Sequence, residues 1–426
     1  MSPATSPRRP AAGRPNPLAG AARHLRVVTA QAAAPGPVVA GRTRLPSTRS
    51  MVIGVVTALC AIGTVMVLSA SAYTSLVDYH SVWSIFERQV LWMALAAGAL
   101  MVCARVPYGW WRRLRTVLLV GTVVLLLAVL VPGVGESSGG ASRWIGIGQI
   151  RVQPSEIMKL AIALFAADLL ARRSDRLDRT GAVVVPLVAV LGFVSALVLM
   201  QPDLGTAIVL GCVVFGCLFA AGVPARTVLT WIAGTCVLAS IAALAEPYRR
   251  ARLLSFINPL AHRETSGYQV VQSLVGISSG RIFGMGLGNG HQKWGLLPNP
   301  HTDFIFSVIG EETGLVGAAL VVALFAALAV LGFRVAARAP DRFGVLLATA
   351  ITCWLTAEAV INMGAVIGVL PVTGIPLPYV SFGGSSLVVV MAGTGILLNI
   401  AGGERRGAPE RSASPVQRRA DRGVTR

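Results

Sequence analysis

The sequence predicts an all-α polytopic membrane protein with about ten transmembrane helices, and three observations support this fold class. Hydrophobic residues make up 54% of the 426 residues, charged residues only 13%, and the mean hydropathy is +0.69. Soluble domains usually contain about 25% charged residues. Long apolar runs recur between residues 51 and 402, and arginines collect in alternate connections. The composition therefore favours the membrane class over a soluble domain.

Each predicted span is an apolar run of about 20 residues, the length that crosses a bilayer as a helix. The runs are 51–73, 88–105, 114–133, 154–171, 181–200, 205–222, 226–245, 304–334, 343–369 and 384–402. The fourth and eighth contain charged residues. Ionisable residues within a span usually face the bundle interior and indicate function.

Arginine bias predicts the orientation, because Lys and Arg collect in cytoplasmic connections. The compact basic connections are 106–113, 172–180, 222–226 and 335–342. They are predicted to lie inside, with both termini. The outer connections are then 74–87, 134–153, 201–205, 246–303 and 370–383. The large outer loop, 246–303, joins spans seven and eight.

The two tails, residues 1–50 and 403–426, are predicted to be disordered and basic. The first contains eight arginines and no acid, and both are rich in Pro, Ala, Gly and Ser. Such segments bury too little apolar surface to fold. No aromatic residue is interleaved with the arginines, so we expect contact with anionic lipid headgroups rather than nucleic acid. The six cysteines lie in apolar runs and are predicted to be small buried hydrophobes.

The outer loop 246–303 is too long for an ordinary connection, which indicates function. Its cationic residues include Arg249, Arg250 and Arg252. On the outer side they could bind a pyrophosphate or ordinary anionic headgroups, and charge alone does not separate these alternatives. The glycine-rich segment 284–290 could bring backbone N–H groups to a phosphate, but a flexible turn is the favoured interpretation.

Asp303 stands immediately before the eighth span. A partly desolvated carboxylate there could accept a proton from a hydroxyl, but an ordinary helix N-cap is favoured by spacing alone. Glu156 and Lys159 are three residues apart on the fourth span, so they can pair as a structural or a functional unit. The connection 370–386 is so rich in Pro and Gly that it predicts broken helix lining a cleft.

Four sequence blocks together resemble the SEDS family (shape, elongation, division and sporulation), and within it the FtsW-like division branch. The match covers residues 51–402. The blocks are Gly140-Ala-Ser-Arg143-Trp with Gln153-Pro-Ser-Glu156-Ile-Met-Lys159; Gln201-Pro-Asp-Leu-Gly205; Leu297-Pro-Asn-Pro-His301-Thr-Asp303-Phe with Gly310-Glu-Glu312; and Leu370-Pro-Val-Thr-Gly-Ile-Pro-Leu-Pro-Tyr-Val-Ser-Phe-Gly-Gly-Ser-Ser386.

This resemblance implies a peptidoglycan glycosyltransferase that polymerises lipid II with inversion, releasing undecaprenyl pyrophosphate. It implies that Asp303 is the catalytic base. It also implies that Arg143 and Lys159 contact the pyrophosphate and that Glu156 orients Lys159. Ser381 and Ser385 are predicted to line the cleft. The positive charge of Arg249, Arg250 and Arg252 makes these loop residues further candidates for substrate binding. No metal-site spacing occurs, so any divalent cation would enter with the substrate pyrophosphate.

The resemblance further implies a plasma-membrane location at the division septum, with a class B penicillin-binding protein (a transpeptidase) and other divisome proteins as partners. Three alternatives stay open. One is a RodA-type polymerase of the elongation machinery. A second is a lipid II flippase or other transporter, although no inverted repeat is evident. The third is a scaffold whose tails recruit division proteins.

Overall fold

The computed structural model describes residues 47–138, 141–147, 150–174, 180–245, 250, 255–265 and 267–407. Helices dominate these ranges. They are α1 (Thr48–Tyr79), α2 (Ser84–Arg105), α3 (Tyr108–Val129), α4 (Pro154–Arg172), α5 (Thr180–Met200), α6 (Leu204–Ala221), α7 (Ala225–Ala245), α8 (Tyr268–Gly280), α9 (Ile305–Ala337), α10 (Arg342–Val366) and α11 (Gly384–Gly407). A short 3-10 turn covers Leu260–His262.

All ten predicted spans coincide with helices, and α8 is an additional helix inside the outer loop. Within the described residues, seven helices are long and apolar enough to cross a membrane by themselves: α1, α2, α5, α6, α9, α10 and α11. The protein is therefore a multi-pass membrane protein. The count of ten spans stays a prediction, because α3 and α4 carry charged side chains and the apolar part of α7 is shorter.

Capping residues explain where several helices begin and end. Asp203 accepts a hydrogen bond from Thr206 N at 3.1 Å and so begins α6. Asp341 caps α10 in the same way. These carboxylates satisfy N–H groups that have no partner within the helix. Gly222 ends α6 with φ of +90°, a conformation that glycine adopts without steric cost.

The centre of the bundle is formed by α4 and α10, which are buried on most sides. Both pack against α6, and α4 also packs against α3. At the periphery, α2 packs along α11, and α9 packs against α1 and α10. Exposed apolar side chains on α3, α5 and α7 face outward from the bundle. Lipid tails would cover these faces in a membrane.

Helix α9 is interrupted one third of the way along its length. Gly314 has φ of +68° and ψ of −166°, so the backbone leaves the helical region there. The segment after α8 enters this break, and Leu315 N donates to Arg281 O at 2.9 Å. An irregular backbone at membrane depth requires such replacement hydrogen bonds.

A small antiparallel sheet accompanies the predominantly helical fold. Strands β1 (Gly135–Ser138), β2 (Ala141–Ile147) and β3 (Ile150–Val152) form it in the order β1-β2-β3. Arg151 on β3 pairs with Glu136 on β1 at 2.8 Å, across Gly146 of the central strand. A Cβ at that glycine would overlap the Glu136 carboxylate. The described part of the segment between α3 and α4 thus contains regular secondary structure.

Hydrogen bonds join some of the helix ends that are predicted to lie on the same side of the membrane. At the predicted inner end, Asn399 Oδ1 accepts from Tyr108 N at 3.0 Å, and Arg338 donates to Thr48 Oγ1 at 3.1 Å. At the predicted outer end, Gln153 N donates to Ser385 Oγ at 3.3 Å. The packing is consistent with the predicted orientation.

Candidate active site

Asp303 lies in a turn just before α9 and is held there through its backbone. The helix begins at Ile305, and the N-cap position is taken by Phe304, which makes no side-chain cap bond. The N-cap position therefore lies one residue after Asp303. Asn362 on α10 donates its amide to Asp303 O at 2.9 Å and to Ile375 O at 2.7 Å. This one buried side chain joins the turn that carries Asp303 to the segment before α11.

The Asp303 carboxylate lies beside the backbone of Gly374. A Cβ placed on that glycine would lie 3.6 Å from Asp303 Oδ2. Gly374 also has φ of +75°, which favours glycine. The carboxylate, on a half-buried residue, is thus close to the Pro- and Gly-rich segment that the sequence predicted to form a cleft.

Ser381 binds the other side of the same turn. Its hydroxyl donates to Thr302 O at 2.6 Å and accepts from Leu377 N at 2.8 Å. Phe382 N donates to His301 O at 2.9 Å. Ser381 is buried and stabilises the turn next to Asp303, and it also lines a small cavity in the Pro- and Gly-rich segment.

His301 is two residues from the predicted base and is largely removed from solvent. Its ring packs edge-to-face on Phe382 with centroids 5.7 Å apart. Burial lowers the pKa of the His301 imidazole to about 4, although the Asp78 carboxylate opposes that shift. The imidazole is therefore neutral near pH ~7.

Arg143 connects the sheet to the turn between α5 and α6. Its Nε donates to Gln201 O at 2.8 Å, and an Nη atom donates to Pro202 O. A Cβ at Gly205 would lie 2.6 Å from Ile375 Cγ1, so the start of α6 packs directly on the segment beside Asp303. Arg143 thus brings its charge to the same outer end as Asp303.

Ser385 is buried at the start of α11 and accepts from Gln153 N. The Gln153 side chain donates to Asp203 Oδ2 at 3.3 Å, and Asp203 also accepts from Thr206. The second, fourth and first sequence blocks are therefore connected by hydrogen bonds. Ser385 stabilises this junction.

Lys159 occupies the interior of the bundle. Its ammonium lies 2.7 Å from Glu156 Oε2, as the helical spacing predicts, and it also pairs with Glu358 of α10. Trp354 covers the ammonium, which lies 5.7 Å from the ring centroid. The Lys159 side chain is 1% exposed, so two carboxylates and an indole, not solvent, surround it. Its contact with pyrophosphate stays a prediction.

The ion pair reaches the Asp303 turn through α10. Glu358 and Asn362 are four residues apart and share a helix face, with Cβ atoms about 5–6 Å apart. Lys159 binds the first of these residues, and the Asp303 carbonyl binds the second. Helix α10 therefore carries both the carboxylate that pairs with Lys159 and the amide that binds the Asp303 turn.

The glycine-rich segment 284–290 is bound by the protein's own carboxylates. Gly288 N donates to Glu312 Oε2 at 3.1 Å, and His291 N donates to Glu311 Oε1 at 2.7 Å. Lys293 Nζ lies 2.8 Å from Glu312 Oε1 and is buried. These contacts hold the segment against the Glu311 and Glu312 carboxylates. The Gly288 N–H group is therefore already bound by a carboxylate of the protein, which fits neither a phosphate-binding loop nor a flexible turn.

The structure describes only one of the three loop arginines that are predicted to bind substrate. Arg249 and Arg252 lie outside the described residues, and Arg250 is exposed. Among the residues that the structure describes, no group of three or more His, Cys, Asp or Glu side chains could hold a metal ion.

Comparison with known proteins identifies the family. The family model of the FtsW, RodA and SpoVE proteins, described as "Cell cycle protein", matches residues 49–406. The chain belongs to this family. It is 41% identical over 351 residues to the probable peptidoglycan glycosyltransferase FtsW of Mycobacterium tuberculosis, covering 82% of this chain and 67% of that protein. It is 39% identical to the protein of the same name in Geobacter metallireducens, covering 81% and 92%.

A solved structure supports the same family fold. It is a chain of a peptidoglycan synthase complex described as coordinating polymerization and crosslinking, with a TM-score of 0.69 and 29% identity. The alignment covers 84% of this chain and 98% of that one. The four blocks that carry the SEDS resemblance thus lie within the residues that the family model matches.

Two residues of the candidate site, Glu358 and Asn362, escaped prediction from sequence. An acid and an amide within the predicted ninth span were the available signal, because polar residues are costly there unless they have partners. Their partners lie in other elements of the family fold, and sequence spacing does not reveal such contacts.

Proposed function

We propose that this protein is a peptidoglycan glycosyltransferase that polymerises lipid II into β-1,4 glycan strands. The observation that carries the proposal is the position of Asp303, whose carboxylate lies beside Gly374 where α9 enters the bundle. The relatives named as FtsW glycosyltransferases supply the reaction class.

In this reaction the 4-hydroxyl of a GlcNAc attacks the anomeric carbon of the MurNAc on a second lipid-linked chain. The bond to the pyrophosphate oxygen breaks, undecaprenyl pyrophosphate leaves, and the α configuration becomes β. An inverting displacement needs a base for the attacking hydroxyl, and Asp303 accepts that proton. Arg143 and Arg250 provide positive charge for the leaving pyrophosphate, and any divalent cation enters with it.

Lys159 and Glu156 act through position in this proposal. Because Lys159 is enclosed by Glu156, Glu358 and Trp354, it stabilises the α4–α10 contact beneath the Asp303 turn. Direct contact with pyrophosphate would require these side chains to separate.

We place the protein at the division septum with a class B penicillin-binding protein as partner, because the matched relatives are named FtsW. The synthase complex that resembles this chain combines polymerization with crosslinking, which supports a transpeptidase partner. A RodA-type role in elongation is the alternative within the same family.

The test is polymerisation of lipid II by the purified protein with its transpeptidase partner. Asp303→Asn keeps the size of the side chain and removes the base, so we expect glycan synthesis to fall by about 10²-fold or more. Glu264→Gln is the matched control, because it removes an exposed carboxylate from the outer loop without touching the Asp303 turn. Undiminished synthesis by Asp303→Asn would exclude Asp303 as the base.

A further inference from the structure

Three arginines converge on one buried carboxylate at the end of the bundle opposite Asp303. Arg112 Nε lies 2.6 Å from Asp168 Oδ1, and Arg115 Nε lies 2.5 Å from Oδ2. Arg172 Nε lies 2.9 Å from Oδ2. The first two arginines are on the first turns of α3, and the third is the last residue of α4. We call Arg112, Arg115, Arg172 and Asp168 the arginine cluster.

The charges of the arginine cluster do not balance. Among the described residues, three guanidinium groups pair with one carboxylate, which is an excess of two positive charges. The Asp168 side chain is only 3% exposed, whereas those of Arg112 and Arg172 are 38% and 55% exposed. The side chains of Arg112 and Arg172 therefore carry positive charge on the solvent-exposed side of the buried acid.

The geometry prepares the outer arginines for an anion. Both bind Asp168 through Nε, and among the described residues their terminal nitrogens have no recorded hydrogen-bond partner. The Arg112 guanidinium also lies over the Phe343 ring, 5.2 Å from its centroid. The nearby acid Asp341 is bound to Tyr108 and to the start of α10 instead. Fixed guanidinium groups lose little conformational entropy on binding a phosphate.

The position of the arginine cluster indicates a lipid. It joins the connections 106–113 and 172–180, both of which arginine bias places at the cytoplasmic surface. Basic pockets between transmembrane helices on that side bind the headgroups of anionic phospholipids. We propose that the arginine cluster binds the phosphate of an anionic phospholipid of the inner leaflet, with Arg112 and Arg172 as the direct contacts.

A purely structural role predicts something different. If the arginine cluster only joins α3 to α4, removal of Arg172 lowers stability equally in any lipid. If it binds an anionic lipid, added cardiolipin stabilises the natural protein, and this stabilisation disappears in the variant. Arg172→Gln suits this comparison because Arg112 and Arg115 still satisfy Asp168, so the variant is expected to fold.

The direct test is native mass spectrometry of the full-length protein with tetraoleoyl cardiolipin, and with dioleoyl phosphatidylcholine as the zwitterionic reference. We expect the pair Arg112→Gln and Arg172→Gln to weaken cardiolipin binding roughly tenfold or more, the equivalent of about 1.4 kcal/mol. The control pair is Arg105→Gln and Arg226→Gln, which removes the same charge from exposed positions on the same predicted face. Its affinity should change by no more than about twofold.

Three outcomes would overturn the proposal. Equal losses in the two pairs would mean diffuse attraction rather than a site. No loss in the first pair would mean that the arginine cluster is only structural. Displacement of cardiolipin by millimolar inorganic phosphate would mean a site for free phosphate. None of these outcomes bears on glycan polymerisation, which is measured separately.

Discussion

Replacing Lys159 with methionine is expected to destabilise the protein by about 3–5 kcal/mol, the usual cost of leaving a buried charge without its partner. The ammonium lies 2.7 Å from Glu156 and pairs with Glu358 as well, and the side chain is 1% exposed. Methionine fills most of the same volume, so the change isolates charge from packing. Two carboxylates would then face each other in the core with no cation between them.

Thermal unfolding in detergent measures this effect, and a rescue variant provides the control. Because the cost arises from the two carboxylates, adding Glu156→Gln and Glu358→Gln to Lys159→Met should recover most of the lost unfolding temperature. Glu358→Gln alone should cost less than Lys159→Met, because it leaves one cation with one anion and keeps an amide oxygen that can accept from Lys159. A Lys159→Met protein that unfolds at the natural temperature would refute the reasoning.

The same rescue variant separates two roles of Lys159. If Lys159 acts by positioning α4 and α10, the stable triple variant recovers part of its polymerisation activity. If Lys159 contacts the pyrophosphate directly, stability returns and activity does not. The two measurements together therefore decide between the contact that the family resemblance implies and the enclosed position in the structure.

Two further predictions concern the Asp303 turn. Asn362→Ala should lower the kcat of polymerisation roughly tenfold or more with little change in KM, because Asp303 loses the amide that fixes its backbone. Asn399→Ala, which removes a similar hydrogen-bonded pair at the other end of the bundle, is the control, and equal losses would refute the positioning role. Burial lowers the pKa of His301 to about 4, below its ordinary value of about 6.5. Between these two pH values the unfolded chain binds more protons than the folded chain, so the stability of the folded protein falls as pH falls. His301→Phe, which keeps the ring beside Phe382, should reduce the drop in unfolding temperature between about pH 7 and about pH 4.5; an unchanged drop would assign it to other groups.

Hydropathy predicted the position of every span-like helix, because burial of apolar side chains in lipid is a local requirement of about 20 consecutive residues. The sheet formed by β1, β2 and β3 was not predicted from hydropathy. Its strands are three to seven residues long, and each is stable only when its neighbours supply hydrogen bonds. No local period in so short a segment distinguishes paired strands from an irregular loop.

The candidate site was predictable in part. Asp303 was singled out by its position at a membrane boundary, and the family resemblance changed its interpretation from a cap to a base. The Glu156–Lys159 pair followed from helical spacing. Glu358 and Asn362 were not found, because each acts on a residue that is distant in sequence.

The sequence by itself determined the membrane class, the helices, the orientation expected from arginine bias and the family. These properties depend on composition, on runs of neighbouring residues and on contiguous motifs. Only the tertiary structure decided that Lys159 is enclosed by two carboxylates, that Glu312 binds the glycine-rich segment, and that one amide joins Asp303 to the segment before α11. Polar groups inside a bundle must find partners wherever the packing brings them, and that packing is a property of the whole fold.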